Sequence, residues 1–333
     1  MINSRIDKIE YYLPEKILTN EMLEAEFENF DSEKIEKKIG IRQRHLAGDD
    51  ETAIDLAYRV SCKIFETYDK KKIDFLILCT QSPDYYLPTT ACILQDKLDL
   101  PTHIGAFDYN LGCSGFIYGL AMAKGLIAAN AASSILLVTA ETYSKHIHPG
   151  DRSNRIIFGD AAAAAIIERS EQCGIREFSF GTDGRGFRNL IVPNGGLKQR
   201  FSPEAPESTD SSGNIRTANH LYMNGPDIFN FTIEAVPIVF NDTLQKNQCT
   251  LNEIDFVIFH QANKYMLSYL QKKCNIPTDK FYINMLNTGN TVSASIPLAL
   301  KQCLDDDKFP PNSKIMLLGF GVGYSWGGTI IQL

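Results

Sequence analysis

Short, nearly unbroken apolar runs punctuate this chain: Ile73-Asp74-Phe75-Leu76-Ile77-Leu78-Cys79, Ser133-Ser134-Ile135-Leu136-Leu137-Val138, Ile254-Asp255-Phe256-Val257-Ile258-Phe259-His260 and Ser313-Lys314-Ile315-Met316-Leu317-Leu318. Runs of that length without polar alternation are the pattern of strands buried on both faces. Between them the apolar positions change to a helical period. Ala53, Leu56, Ala57, Val60 and Ile64 follow an i, i+3, i+4, i+7 rule within Thr52 to Glu66,. A further helix begins at Ser114 and carries Gly115, Gly119 and Ala123 on one face, where small residues admit close approach. Strands alternating with helices predict a layered α/β architecture with mainly parallel sheets, in which ligands gather at the carboxyl ends of strands.

The pattern also repeats. The run starting Ile73-Asp74-Phe75 returns at Ile254-Asp255-Phe256, 181 residues on, and Ser133-Ser134-Ile135-Leu136-Leu137-Val138 returns 180 residues on as Ser313-Lys314-Ile315-Met316-Leu317-Leu318. Two offsets that agree within one residue predict one supersecondary plan used twice. The halves are read as 1–175 and 220–333, joined by a connecting segment, 176–219. Within that connection Lys198 to Asn219 is rich in Ser, Pro, Asp and Asn, and reads as an exposed excursion: a tolerated surface loop first, a cover over a site as the alternative,.

With 333 residues the chain is long enough for two domain-sized cores or one large duplicated unit,. Hydrophobic residues make up 44% and charged residues 22%, the balance of a globular protein,. The net charge of −7, without a basic block, speaks against nucleic acid as a partner,. No apolar stretch approaches the ~20 residues of a membrane span, and the charged first eight residues lack a signal peptide's apolar segment. A soluble, cytoplasmic protein is expected. Eight cysteines (62, 79, 92, 113, 173, 249, 274, 303) stand singly with no CxxC pair, so neither a zinc knuckle nor a dithiol motif is present,. Reduced thiols follow, most of them expected as small buried hydrophobes. His146 and His148 are two apart with no third ligand apparent, and no metal is expected,.

Candidate chemistry sits at strand ends. Ala106 to Phe116 runs from a strand through a Gly turn into a helix expected to open at Cys113. A helix N-terminus favours thiolate and would lower the thiol pKa, making a nucleophile; a buried inert cysteine is the other reading. His260 ends the second copy of the repeated strand, before Gln261-Ala262-Asn263, and taken alone reads as a satisfied core histidine. Asn290 lies in Asn287-Thr288-Gly289-Asn290-Thr291, either a plain turn residue or a side-chain hydrogen-bond donor,. Gly319-Phe320-Gly321-Val322-Gly323-Tyr324 follows the second copy of the other repeated strand, and its glycines let backbone amides approach a ligand,. A thiol, an imidazole, a carboxamide and an amide-rich loop thus fall on one rim.

These residues resemble the β-ketoacyl-acyl carrier protein synthase III family of the thiolase fold over nearly the whole chain. Gly40-Ile41-Arg42, Gly112-Cys113-Ser114-Gly115, Phe158-Gly159-Asp160, His260-Gln261-Ala262-Asn263, Gly289-Asn290-Thr291 and Gly319-Phe320-Gly321 with Trp326-Gly327 occur in family order. The resemblance implies a pseudo-duplicated α/β/α/β/α five-layered sandwich, usually a homodimer, working without a metal or other cofactor. It makes Cys113 the acceptor of an acyl group from acyl-CoA or acyl-ACP (acyl carrier protein). His260 and Asn290 become the donors that stabilise the enolate of a malonyl thioester as CO2 leaves, and the N–H groups of Cys113 and Val322 the oxyanion hole. By the same resemblance Asn263, Phe320, Gly321 and Gly323 border the substrate. Arg152 matches a phosphate- or pantetheine-contacting position, and Leu87 stands where a residue reaching into the partner's acyl pocket is expected.

Departures from the family concern substrate. Lys34 and Lys38 stand where Trp and Arg commonly line the mouth of the pantetheine tunnel, so adenine stacking is not expected there. A basic carrier-docking residue is replaced by Tyr265, beside Lys264. With the long excursion, these features suggest a specialised paralogue. Three other readings compete: a same-fold acyltransferase passing the acyl group from Cys113 to a hydroxyl or amine, a Cys-His-Asn peptidase, and a non-catalytic partner subunit.

Overall fold

Both copies of the Ile-Asp-Phe motif open an interior strand that lies beside the central strand of its sheet. In the computed structural model, which describes residues 2–308, 310 and 312–333, Phe75–Cys79 runs parallel to Ser134–Glu141 with Phe75 opposite Ile135. Phe256–Phe259 runs parallel to Lys314–Gly321 with Phe256 opposite Ile315. The aspartate repeats its task as well. The Asp74 carboxylate accepts from the N–H groups of Ser133 and Ser134, at 2.8 and 3.1 Å, and Asp255 accepts from the N–H of Lys314 at 2.8 Å. Each acid thereby ties the start of its strand to the neighbour.

The first five-stranded sheet has the order Asn3–Tyr12, Ala161–Ser170, Ser134–Glu141, Phe75–Cys79, Gly105–Tyr109. The second has Ile175–Thr182, Ser325–Gln332, Lys314–Gly321, Phe256–Phe259, Phe281–Tyr282, the same plan element for element. Both are mixed rather than mainly parallel: in each, two of the four pairings are antiparallel. The cause is plain in the second sheet, where only residues 322–324 separate Lys314–Gly321 from Ser325–Gln332. So short a link cannot make the crossover that parallel strands need.

Three apolar layers hold the sheets. Helices Gly115–Ala128 and Ser295–Asp305 lie between them, with Ile77, Ile135 and Leu137 packed from one side and Ile258, Ile315 and Leu317 from the other. Helices Ala53–Phe65 and Thr90–Lys97 cover the outer face of the first sheet against Leu76, Leu78 and Val138. Gly225–Lys246 and Lys264–Lys273 cover the second against Val257, Phe259 and Met316. This is the five-layered sandwich expected from the sequence. Each Leu or Ile moved fully from water contributes ~1.5–3 kcal/mol, so strands buried on both faces carry most of the core. The middle helix needs its small residues: a Cβ at Gly119 would lie 2.5 Å from the Tyr109 hydroxyl and 2.6 Å from Leu137.

The stretch read as a connection behaves differently. Ile175–Thr182 is an edge strand of the second sheet, and only Ile175 and Ser179, four residues apart, are buried. With so few buried positions it lacks the continuous apolar run of the other strands. The excursion is a docked hairpin, Ser208–Thr209 pairing with Ile215–Arg216. Ile215 N–H donates to Gly150 C=O at 3.0 Å, and Arg216 bridges Asp210 (2.6 Å) and the buried Asp151 (3.4 Å). All eight cysteines are free thiols, but only Cys79, Cys113 and Cys303 are buried. Cys62, Cys92 and Cys173 are exposed, because they lie on the outward sides of amphipathic segments and a turn.

Candidate active site

Cys113 ends the turn that follows strand Gly105–Tyr109. Helix Gly115–Ala128 opens after it, with Ser114 as N-cap, so the sulfur lies just outside the helix rather than at its first residue. The turn is fixed from beneath: Ser114 Oγ and Ser325 Oγ are hydrogen-bonded at 2.6 Å. Burial pushes the thiol up to about 12, with the Glu141 carboxyl adding in the same direction. The N–H groups of Val322 and of Cys113 itself reach the sulfur and pull the other way. The lowered thiol pKa expected from the sequence is thus reversed. Two amide donors and a helix end do not offset the loss of water around a charged sulfur.

His260 follows strand Phe256–Phe259, its backbone N–H donating to Leu318 C=O at 2.8 Å. Its Nδ1 is 2.6 Å from Ser295 Oγ, and the ring meets the Phe320 ring edge-on at 5.7 Å. Burial alone drops its pKa to about 3, so the imidazole is neutral across ordinary working pH,. Asn290 is held by its backbone, donating to Ile157 C=O at 2.9 Å and accepting from Gly159 N–H at 3.0 Å. Its Oδ1 accepts from Val292 N–H at 2.9 Å, which leaves the NH2 free to donate,. Gly289 before it has φ +69°, and a Cβ there would lie 2.8 Å from Ile157 C=O. The Phe158-Gly159-Asp160 motif therefore carries the Asn290 turn. Asp160 in its turn is anchored by N–H donors from Ala47 and Ser144 at 2.8 and 2.9 Å.

Cys113, His260 and Asn290 line one cavity of about 130 Å³, together with Asn263, Phe320 and Gly321. Gly321 has to be glycine: a Cβ would lie 2.8 Å from both Cβ and Sγ of Cys113. Ile157, Phe158, Leu190, Met223, Ile228, Ala262 and Met266 make the remaining walls largely apolar. Asn263 is engaged as well in capping helix Lys264–Lys273 through Met266 N–H at 2.9 Å. Val322 borders instead a larger cavity of about 670 Å³, shared with Gln81, Asn110, Tyr143 and Leu190.

The other residues named from the sequence are not in the small cavity. Lys34 and Lys38 are exposed on helix Ser32–Ile39, and it is Lys37 and Lys264, with Glu33 and Glu36, that line a nearby surface cavity of about 650 Å³. Arg152 donates to Ser212 C=O at 3.3 Å, on the excursion. Leu87 is 86% exposed, beside Tyr85 and Tyr86 at 62% and 74%. Gly323, φ +135°, turns the chain between the last two strands. Sequence reading missed Ser295, Ser293, Gln81, Tyr143 and Glu141, all within reach of the three candidates. The acid at the carboxyl end of a repeated strand was the one visible signal.

Comparison with known proteins places the fold and the sequence in one family. Two family patterns, 3-oxoacyl-[acyl-carrier-protein (ACP)] synthase III and its C-terminal part, match residues 107–184 and 244–333. The β-ketoacyl-[acyl-carrier-protein] synthase III of Clostridium perfringens is 34% identical over 336 residues, spanning 100% of both chains. That of Fusobacterium nucleatum subsp. nucleatum is 36% identical, spanning 97% of this chain and 96% of the relative. A crystal structure of a 3-oxoacyl-(acyl-carrier-protein) synthase III superposes with a TM-score of 0.97 at 46% identity, covering 99% of this chain and 100% of the other. The corresponding synthase of Burkholderia xenovorans LB400 gives 0.92 at 36%, covering 99% and 94%.

The sandwich and the matched patterns define a condensing enzyme of the transferase class with the thiolase fold. Within it, the chain belongs to the β-ketoacyl-acyl carrier protein synthase III family. Among the described residues no helix is long and apolar enough to cross a membrane.

Proposed function

We propose that the protein condenses an acyl group with a malonyl thioester in two half-reactions, using Cys113, His260 and Asn290. The observation that carries this reading is their shared cavity, lined by the buried thiol, a neutral imidazole and a carboxamide whose NH2 is left to donate. In the first half-reaction the Cys113 sulfur attacks the carbonyl carbon of an acyl-CoA or acyl-ACP. The new S–C bond forms, the donor's C–S bond breaks, and the thiol proton passes through His260 Nε2 to the departing thiolate. A thiol held near 12 needs that proton acceptor in place,. The N–H groups of Cys113 and Val322 steady the tetrahedral oxyanion.

In the second half-reaction the malonyl C–C bond breaks, CO2 leaves, and its electron pair forms an enolate held by His260 Nε2–H and the Asn290 NH2. The enolate carbon attacks the acyl carbon on Cys113, a C–C bond forms as the S–C bond breaks, and the released thiolate takes a proton from solvent. His260 Nε2 must accept a proton in the first half-reaction and carry a hydrogen to donate a hydrogen bond in the second. Ser295 suits both, since a hydroxyl can donate to a bare Nδ1 or accept from Nδ1–H,.

No metal or other cofactor enters this chemistry. Asn263, Phe320 and Gly321 border the acyl and malonyl groups, while the carrier is met near Lys34 and Lys38 by a surface cavity of mixed charge, with Lys37 and Lys264 beside Glu33 and Glu36. A homodimer is part of the same reading. It is supported by the outer edge of strand Gly105–Tyr109, which has a neighbour on one side only, and by the exposed Tyr85, Tyr86 and Leu87. Light scattering at a range of concentrations tests it.

The decisive experiment is intact-mass analysis after exposure to a mixed pool of acyl-CoAs and acyl carriers, followed by malonyl-ACP. The expected result is one acyl adduct, absent in Cys113→Ala, that is consumed as CO2 appears. An ester or amide product formed without malonyl consumption would replace condensation by acyl transfer, and peptide cleavage without any adduct would overturn both.

A further inference from the structure

Glu141 closes strand Ser134–Glu141 and is wholly shut off from solvent, yet the condensation proposed above makes no use of it. A carboxyl there has lost its water shell and needs hydrogen-bond donors. Three are supplied: Ser293 Oγ donates to Oε1 at 2.7 Å, while Gln81 N–H and Ser82 Oγ donate to Oε2 at 3.0 and 3.4 Å. They come from two pieces of chain that flank Cys113. Gln81 leaves the end of strand Phe75–Cys79, and its side-chain oxygen would lie 2.7 Å from a Cβ on Gly112, the residue before Cys113. Ser293 lies in the turn Val292–Ala294, whose Val292 N–H holds Asn290 Oδ1. One acid from the first half thus joins the floor of the cysteine turn to the segment that presents Asn290 in the second.

We propose that Glu141 is a positioning residue: its carboxyl clamps the Asn290 turn against the Cys113 turn, and its negative charge, once formed, opposes ionisation of the Cys113 thiol. The titratable groups that face it are Asp160, Cys79, Cys113, Tyr109 and Tyr143, with His146 behind Ser82 at 3.4 Å. Burial holds His146 below its ordinary pKa, so it brings no charge to offset the acid at neutral pH. Burial also pushes the Glu141 carboxyl itself up to about 8, so its ionisation falls before that of the thiol. The clamp rests on the assignment of Asn290 above; the effect on the thiol does not.

Alkylation of Cys113 by iodoacetamide, followed peptide by peptide against pH, reads the charge without any substrate. In the wild type the logarithm of the rate should rise less steeply where Glu141 ionises than a single thiol allows. In Glu141→Gln that flattening should vanish, and at pH above about 9 the rate should rise roughly tenfold for each pKa unit recovered. A wild-type profile that follows one thiol throughout, or a Glu141→Gln profile that superimposes on it, overturns the electrostatic effect. Ser293→Ala keeps the charge and removes one arm of the clamp. It should leave the flattening in place while slowing malonyl decarboxylation several-fold, with Cys113 acylation preserved. Undiminished decarboxylation in Ser293→Ala overturns the clamp; failure of acylation in the wild type instead removes the condensing reading and leaves the alkylation result standing.

Discussion

The two halves place different chemistry at matching points of one plan. At the offset of 181 Cys79, the last residue of strand Phe75–Cys79, is matched by His260, just after strand Phe256–Phe259. Strand Ser134–Glu141 ends in a buried acid, and Lys314–Gly321 ends in a glycine. Between edge strand and middle helix the first half carries Cys113 and the second Asn290. The duplicated sheets keep the groups that build strands, such as Asp74 and Asp255, and diverge at the carboxyl ends. A cavity formed where both sets of ends meet can hold a nucleophile from one side and donors from the other. No single half contains the set.

Forcing the matching points to be alike should therefore damage the site most. At Gly321 a side chain meets Cys113 at 2.8 Å and must move either the sulfur or the backbone that carries Val322 N–H. Gly321→Val is expected to lower Cys113 acylation by ~10² to 10³, the usual cost of losing an oxyanion donor. Burst-phase release of CoA measures this, and a near-normal burst would show that the glycine is dispensable.

Removing the second half's donors separates the two half-reactions. His260→Ala or Asn290→Ala should slow malonyl decarboxylation by about 10²-fold, within the range for a positioned acid–base group, while the adduct on Cys113 of Asn290→Ala still forms. Buried His260 also makes a prediction for stability. Its pKa is about 3 in the folded chain against an ordinary 6.5, so between those values the unfolded chain binds a proton that the native one refuses,. Stability contributed by this site is present above about pH 6.5 and is lost as pH falls toward 3. His260→Asn should flatten that part of the acid-denaturation curve, and an unchanged curve would mean that the ring takes a proton in the folded state.

Much of this was legible in the sequence because it is local or periodic. The strand runs, the offset of 181, and the Cys113, His260 and Asn290 motifs stand in short stretches of chain. What escaped depends on contacts across long separations. Glu141 meets Ser293 over 152 residues and Gln81 over 60, and His260 meets Ser295 over 35. The direction of the Cys113 shift was misjudged for the same reason: a helix end is visible in sequence, and the depth of burial that outweighs it is not. Ser295→Ala tests the most easily overlooked of these contacts. One neutral hydrogen bond is worth ~0.5–1.5 kcal/mol, so decarboxylation should fall about two- to tenfold, with acylation affected similarly if the hydroxyl serves both tautomers. A loss confined to one half-reaction would assign Ser295 to a single tautomer.

The smallest expected effect asks whether the halves are equal where they look equal. Asp74 accepts two backbone N–H groups and Asp255 one, in otherwise matching positions at the start of paired strands. Both contacts lie near the surface, where water replaces a lost acceptor in part, so each hydrogen bond should count for about 1 kcal/mol. Asp74→Ala should then cost about twice as much in chemical denaturation as Asp255→Ala, and the double variant should show the sum, because the two sites share no partner. Equal losses would mean that the second bond to Asp74 adds nothing. A double variant that loses much more than the sum would mean that the two sheets depend on one another through the helices between them, and that the shared middle layer couples the halves more tightly than their separate hydrogen bonds suggest.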